Sequence, residues 1–267
     1  MCKLIMLGTG NGGTFDLFNT CFVVQNSKGN FLVDAGGSIE IINRLSKNNI
    51  DFFSLKHIFI SHSHTDHIFG LIWLFKRIGV RLFREKLDEK INIYCNDIVC
   101  ESIKKISECT LPKKLYELLM ENIRFVVLND GDSHLIYDVE YVFFDIMAKG
   151  EKQYGFTCKL NEKSLAFLGD ETLNSELYYK IKNFDYVMHE SFCLDSEEHI
   201  FHAYEKNHST TKSVSLIMNN LNVKNLILYH TEESHKQQRK KLYTTEAQKY
   251  FNGNIIVPDD LEIIKIK

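Results

Sequence analysis

The chain opens with an apolar run over 3–7 that ends at Gly8-Thr9-Gly10-Asn11-Gly12-Gly13, which predicts a strand leading into a glycine turn rather than a signal peptide. Runs over 20–25 and 30–33 flank Ser27-Lys28-Gly29-Asn30 and predict a hairpin. Over 38–48 the residues Ile39, Ile42 and Leu45 recur at helical spacing. A short strand over 56–60 runs directly into Ser61-His62-Ser63-His64-Thr65-Asp66-His67. The next segment, 68–83, predicts a helix with Leu71, Leu74, Phe75 and Ile78 on one side.

The middle of the chain continues the alternation. A strand over 91–95 precedes helices over 96–109 and 111–120, the second with Pro112 near its start. Strands over 124–128 and 140–146 are joined through Asn129-Asp130-Gly131-Asp132 and a hairpin near Tyr137-Asp138. A further hairpin links 155–160 to 164–168. The last third reads as strands over 186–188, 225–229 and 255–264, with helices over 211–221 and 244–250. Hairpins mixed with crossover helices predict an α+β protein, with two mixed β-sheets packed together and helices outside, a four-layer αββα sandwich. No repeat, low-complexity segment or long polar linker interrupts the pattern, so 1–267 is expected to form a single domain.

Composition narrows the class. Hydrophobic residues make up 44% of the 267 and charged residues 25%, which excludes general disorder. A formal charge of −3 gives no sign of a globally basic nucleic-acid binder. No run approaches the ~18 apolar residues of a membrane span. The seven cysteines are scattered, without a Cys-x-x-Cys pair, so a thiolate zinc site or disulfide framework is not expected. They fit a reducing cytoplasm, most of them as small buried hydrophobes.

The candidate chemistry lies in His62-x-His64-x-Asp66-His67, between an apolar strand and an apolar helix. In an extended segment, residues 62 and 64 point the same way. Asp66 and His67, one turn on, can face a second point nearby. Imidazole and carboxylate suit Zn2+, with Mn2+ or Fe as other choices. Such a group can serve two ions about 3.5–4 Å apart.

This signature resembles that of the metallo-β-lactamase superfamily, which implies a metallo-β-lactamase-like sandwich and a hydrolytic site with one or two metal ions. Asp34, in Phe31-Leu32-Val33-Asp34-Ala35-Gly36-Gly37, matches the first family motif and would hold the ligand loop. Asp170, in Phe167-Leu168-Gly169-Asp170-Glu171, matches the motif whose carboxylate bridges metals. His230, after Leu226-Ile227-Leu228-Tyr229, matches the last ligand. The implied metal set is therefore His62, His64, Asp66, His67, Asp170 and His230.

A narrower resemblance covers nearly the whole chain. Asp185-Tyr186-Val187-Met188-His189-Glu190-Ser191-Phe192 is similar to the His-Glu-Ala-Thr motif of ribonuclease Z, and His208-Ser209-Thr210 to its His-Ser-Thr motif. Leu7-Gly8-Thr9-Gly10 followed by Asn19-Thr20 resembles its amino end. The resemblance implies a phosphodiesterase acting on RNA or a small phosphodiester through a metal-bound hydroxide, and a homodimer. It assigns catalysis to Asp66, Glu190 and His208. Asp66 would orient the hydroxide, His208 would protonate the leaving oxygen, and Glu190 would keep His208 charged.

Three departures from the family pattern bear on activity. The family has a further ligand histidine before the Gly-Asp motif, where Met147 stands here, and a thioether is a poor zinc ligand. Asp145 shares its strand face, while His134 is expected at the wrong end of the sheet, in a surface or turn role. The long arm that grips transfer RNA in bacterial ribonuclease Z is absent between Met147 and Asp170. A basic stretch over 76–90 and the run Arg239-Lys240-Lys241 could touch phosphate, but charged helix faces are usually solvated. Thr231-Glu232-Glu233 after His230 would repel a polyanion. His57 is expected at a surface or sheet edge, and His199 and His202 in a solvated loop. Two alternatives follow: an ester, lactone or thioester hydrolase of the same fold, or a metal-binding homologue with catalysis impaired at Met147 that binds a nucleotide.

Overall fold

The computed structural model describes residues 2–86 and 90–267. Strands β1 (Lys3–Gly8), β2 (Cys21–Gln25) and β3 (Asn30–Val33) form an antiparallel meander. From β3 the sheet continues in parallel through β4 (His57–Phe59), β5 (Ile91–Cys95) and β6 (Ile123–Val127). The second sheet repeats this plan. Strands β7 (Ser133–Ile136), β8 (Val139–Asp145), β9 (Tyr154–Leu160) and β10 (Lys163–Phe167) are antiparallel. Strands β11 (Tyr186–Glu190), β12 (Asn225–Tyr229) and β13 (Asn254–Ile256) then extend it in parallel. Finally β14 (Ile263–Lys265) returns to pair with β1.

Helices cover the outer faces, giving the four-layer αββα order. On the first sheet lie α1 (Glu40–Lys47), α2 (Thr65–Glu85), α3 (Asp97–Thr110) and α4 (Lys113–Asn122). The second sheet is flanked by α5 (Tyr178–Ile181), α7 (Thr211–Asn220) and α8 (Arg239–Ala247), and the short α6 (Glu198–Phe201) packs through Phe201 on Phe192, Cys193 and Ala203. Helix α2 buries Ile68, Leu71, Leu74, Phe75, Ile78 and Leu82, a stripe at three- and four-residue spacing. Asn96 caps α3 by accepting from the Val99 N–H, and Thr210 and Ser213 form a capping box on α7.

The central strands are buried on both faces. In β12, Ile227 and Tyr229 enter the layer between the sheets, while Leu226 and Leu228 meet the helices. The inter-sheet layer is aromatic: Phe31 packs on Tyr141 at 4.7 Å and Phe22 on Phe167 at 5.2 Å between ring centroids. Six free cysteines, among them Cys21, Cys95 and Cys158, are buried and Cys109 is exposed. No helix among the described residues is long and apolar enough to cross a membrane.

Several expectations are corrected. The apolar face of α1 is Ile41 and Leu45 with Ile42 half-buried, and Ile39 is exposed because it precedes the helix. The helix expected over 244–250 starts earlier, at Arg239, whose side chain is buried and bonded to the Pro258 carbonyl and Thr231. The single strand expected over 255–264 is two strands in different sheets. Pro258 has no N–H to donate, and the segment after it crosses from β13 to β14.

Helix α2 is seated on the turn after β3 without a side chain between them. The Gly70 N–H donates to the Gly36 carbonyl at 2.8 Å, and a Cβ on Gly70 would stand 1.9 Å from the Ala35 carbonyl oxygen. Gly70→Ala is therefore expected to lower unfolding free energy by about 3 kcal/mol, read as a drop in the urea midpoint.

Candidate metal centre and active site

The carboxyl ends of strands from both sheets converge on one point, where open α/β sheets place ligands. Asp34 follows β3, the 61–67 segment follows β4, Asp170 lies three residues after β10, Glu190 ends β11, and His230 follows β12. Asp34 and His230 have positive φ, 54° and 56°, a left-handed backbone that costs about 1–3 kcal/mol at a non-glycine residue. Gly169 takes the same conformation without that cost, and its carbonyl accepts from the Tyr229 hydroxyl.

His64 is the N-cap of α2, so His62 and His64 project from extended backbone and Asp66 and His67 from the first helical turn. Three overlapping groups of donors result among the described residues, His62 with His67 and Asp170, Asp66 with His67 and His230, and Glu190 with His208 and His230, while His64 reaches the first through His62. In the first, His62 Nε2 lies 3.0 Å from His64 Nδ1 and 3.3 Å from Asp170 Oδ2. In the second, Asp66 Oδ2 lies 3.3 Å from His67 Nε2 and 3.7 Å from His230 Nε2. Asp170 Oδ2 joins them, at 3.3 Å from His67 Nε2 and 3.4 Å from His230 Nε2. The six residues of the implied metal set thus stand together, and His62, His67, Asp170 and His230 are buried.

Burial alone would raise the carboxyls of Asp66 and Asp170, but the imidazoles around them hold both far below the usual carboxylate range. His67 Nε2, both ring nitrogens of His230, and Asp170 Oδ1 are buried without a hydrogen-bond partner. Orphaned lone pairs in such a set fit a divalent cation. Asp34 orients the set from behind: its Oδ2 lies 2.9 Å from His67 Nδ1 and accepts from the Ser61 hydroxyl at 2.8 Å, and that hydroxyl meets His62 Nδ1 at 3.0 Å. Both imidazoles are held with Nε2 toward the centre.

Glu190 and His208 form a second unit beside the cluster. Glu190 Oε2 lies 3.4 Å from His208 Nδ1, and the Asp170 carbonyl accepts from the same nitrogen at 2.7 Å. A carbonyl only accepts, so Nδ1 carries a proton and Nε2 is left for a ligand. The ring stacks on Phe192 at 4.4 Å, nearly parallel. Burial lowers the His208 pKa, but the Glu190 and Asp170 charges outweigh it and push it up to about 9.

A cavity of 310 Å³ lies over the cluster, with Phe192, Lys206 and Glu232 along its sides. Gly12 leaves it room, since a Cβ there would stand 3.1 Å from the Asp66 carboxylate. The Lys206 ammonium lies 5.3 Å over the Phe192 ring. A larger cavity of 430 Å³ adjoins on the other side of His208.

Other sequence candidates lie elsewhere. Met147 is 42% exposed and lines the larger cavity, not the one over the cluster. Asp145 is taken up by the Met147 N–H, which it accepts at 2.8 Å. His134 sits in β7, its ring 5.3 Å from Tyr94 in the aromatic layer. His57 is half-buried in β4, an interior strand rather than an edge, with Nδ1 2.9 Å from the Tyr94 hydroxyl. Of the paired carboxylates, only Glu232 reaches the cavity. Glu233 turns away and accepts from the N–H groups of Phe15, Asp16 and Leu17. His199 and His202 lie on or just after α6 rather than in a loop, His202 exposed. Of the basic stretch over 76–90, Lys76, Arg77, Arg81 and Arg84 lie on the last turns of α2, whose other face buries Ile78 and Leu82, and residues 87–89 lie outside the described residues. Glu151, Phe192 and Lys206 were not singled out from sequence. Phe192, next to the His189-Glu190 pair, had a positional signal, whereas Glu151 in a polar loop and Lys206 at the end of a short 3-10 turn had none.

Comparison with known proteins places this geometry. A ribonuclease Z of Picrophilus torridus is 26% identical over 81% of this chain and 81% of its own length. Among solved structures, the metallo-β-lactamase fold protein YhfI of Bacillus subtilis matches with a TM-score of 0.78 at 16% identity, covering 98% of each chain. Human tRNase Z, short form, matches with a TM-score of 0.71 at 19% identity, covering 99% of each. The fold is thus that of the metallo-β-lactamases, as the sequence motifs implied. The family model for the Anti-Pycsar protein Apyc1 matches residues 2–251, nearly the entire chain, and the protein belongs to that family.

Proposed function

We propose that the protein is a metal-dependent phosphodiesterase acting on a phosphodiester of about mononucleotide size. The observation that carries this is the Glu190–His208 pair, a histidine held protonated beside a cluster of six ligand-type residues. A phosphodiester expels an alkoxide, which leaves far more readily when protonated. Two features favour a small substrate. The cavity over the cluster is 310 Å³, at the low end for ligand sites. Glu232 lines it, and Glu232 accepts at 2.6 Å from the Asn11 side chain, which fixes its charge where a polyanion would enter.

His62, His64 and Asp170 would hold one ion, and Asp66, His67, His230 and the shared Asp170 a second. Such ions, zinc being the best fit to this donor set, supply an activated water and polarise phosphoryl oxygens. Asp66 orients the attacking water. Lys206 faces the anionic substrate and draws the phosphate toward the cluster. His208 gives its Nε2 proton to the leaving oxygen, and Glu190 stabilises the charged ring before transfer.

Asp66→Ala is expected to abolish turnover of bis(p-nitrophenyl) phosphate and lower metal content while leaving the far-ultraviolet dichroism unchanged; retained turnover would sink the site. His208→Ala should slow an alkyl leaving group by about 10²–10⁴-fold and a nitrophenyl leaving group much less. Rates should fall as pH rises through about 9, where His208 loses its proton, and Glu190→Gln should move that fall to lower pH. Lys206→Met should raise KM for 3′,5′-cyclic mononucleotides and leave a neutral lactone unaffected. Faster hydrolysis of the lactone than of any phosphodiester would instead favour the esterase alternative.

A further inference from the structure

We propose that Glu151 is a positioning residue for the metal centre, fixing His64 through the ring nitrogen that faces away from the cluster. It rests on the metal-centre reading above. Glu151 lies in the 146–153 loop, the loop that carries Met147 where the family pattern has a ligand histidine. Its Oε2 stands 3.1 Å from His64 Nε2, and its Oε1 accepts from the Ser63 hydroxyl. The other ring nitrogen of His64, Nδ1, lies 3.0 Å from His62 Nε2, itself 3.3 Å from Asp170 Oδ2. Nδ1 is therefore the nitrogen turned toward the ligand cluster. A carboxylate only accepts hydrogen bonds, so Glu151 keeps the proton on Nε2 and leaves the Nδ1 lone pair free for a cation.

The same device recurs around the site, which gives the assignment a second support. His67 has Asp34 behind its Nδ1 at 2.9 Å, and His62 has the Ser61 hydroxyl behind its Nδ1, itself bonded to Asp34. His64 differs from these two in being exposed, with 55% of its side chain accessible against 0% and 1%. Packing fixes the buried rings, whereas His64 depends on its hydrogen bond. His64 stands at the rim of the donor group formed by His62, His67 and Asp170, with its Nδ1 facing His62.

The test is a competition titration of the metal-stripped full chain with Zn2+ against a chromophoric chelator, repeated with Co2+ to read the visible absorption. Wild type should take up two equivalents; fewer would refute the metal-centre reading itself, before any variant is compared. Glu151→Ala should weaken one equivalent by about 10–100-fold and leave the other unchanged. Glu151→Gln, whose amide oxygen can accept the same Nε2–H, should recover most of the loss and keep the Co2+ spectrum. Unchanged affinity in Glu151→Ala would overturn the proposal. So would a Glu151→Gln variant as weak as Glu151→Ala, since that pattern belongs to a carboxylate that itself ligates. Urea midpoints of the metal-free variants matching wild type show that neither change acts through the fold.

Discussion

The Asp170 carboxylate is buried between the two sheets, and its Oδ2 is approached by imidazole nitrogens of His62, His67 and His230 at 3.3–3.4 Å. Two of these come from the segment after β4 in the first sheet, the third from the end of β12 in the second. The carboxylate therefore ties the sheets together at their carboxyl ends. Desolvating such a charge costs several kcal/mol, recovered only where the geometry is good. That condition dictates much around it. The chain after β10 turns at Gly169, whose carbonyl is held by the Tyr229 hydroxyl, and Asp170 N–H donates to the buried Gln153 side chain. Helix α2 meets the first sheet without a side chain at Gly70, which keeps Asp66 and His67 within reach.

The place of the site follows from topology. Each sheet changes from antiparallel to parallel pairing, at β3 in the first and at β10 in the second. Asp34 and Asp170 follow these two strands, so the carboxylates that organise the cluster lie where the pairing switches. The strained φ of Asp34 belongs to the same corner: the chain must leave β3 abruptly while its carboxylate still reaches both Ser61 and His67. A strained non-glycine residue persists only where surrounding contacts over-determine it, and at Asp34 three hydrogen bonds to the carboxylate and one from its N–H to the Phe59 carbonyl do so.

What could be read in the sequence is what periodicity and chain proximity encode. The four groups of 62–67 sit on one strand end and one helix turn, so their convergence follows from local geometry. Asp34, Asp170 and His230 are polar residues that close apolar runs, Asp34 and His230 directly after a strand and Asp170 three residues beyond one, all at the same end of the molecule. The failures have equally local causes. Ile39 and Ile41 both suit a helix face, and the helix start decides between them. Glu232 and Glu233 are chain neighbours, yet one faces the cavity and the other is consumed by the turn over 15–17. The 255–264 segment is apolar at both ends, and only pairing shows that its halves belong to different sheets. Glu151 comes from a loop with no period, and its approach to His64 is a tertiary contact across 87 residues of chain.

The proposed phosphodiesterase chemistry turns on Glu190. It is fully buried, and its nearest cation is a histidine that must carry a second proton to pair with it. Keeping a carboxylate there is costly unless the histidine is charged, and a charged histidine is of use where a basic leaving group departs. An acyl substrate with a good leaving group gains little from it. A phosphodiester of an ordinary alcohol gains most, because its alkoxide is a poor leaving group and His208 borders both cavities, within reach of a group leaving from the cluster toward the larger space. Met147 lines the larger cavity and not the one over the cluster, which is the side the proposed leaving group would take.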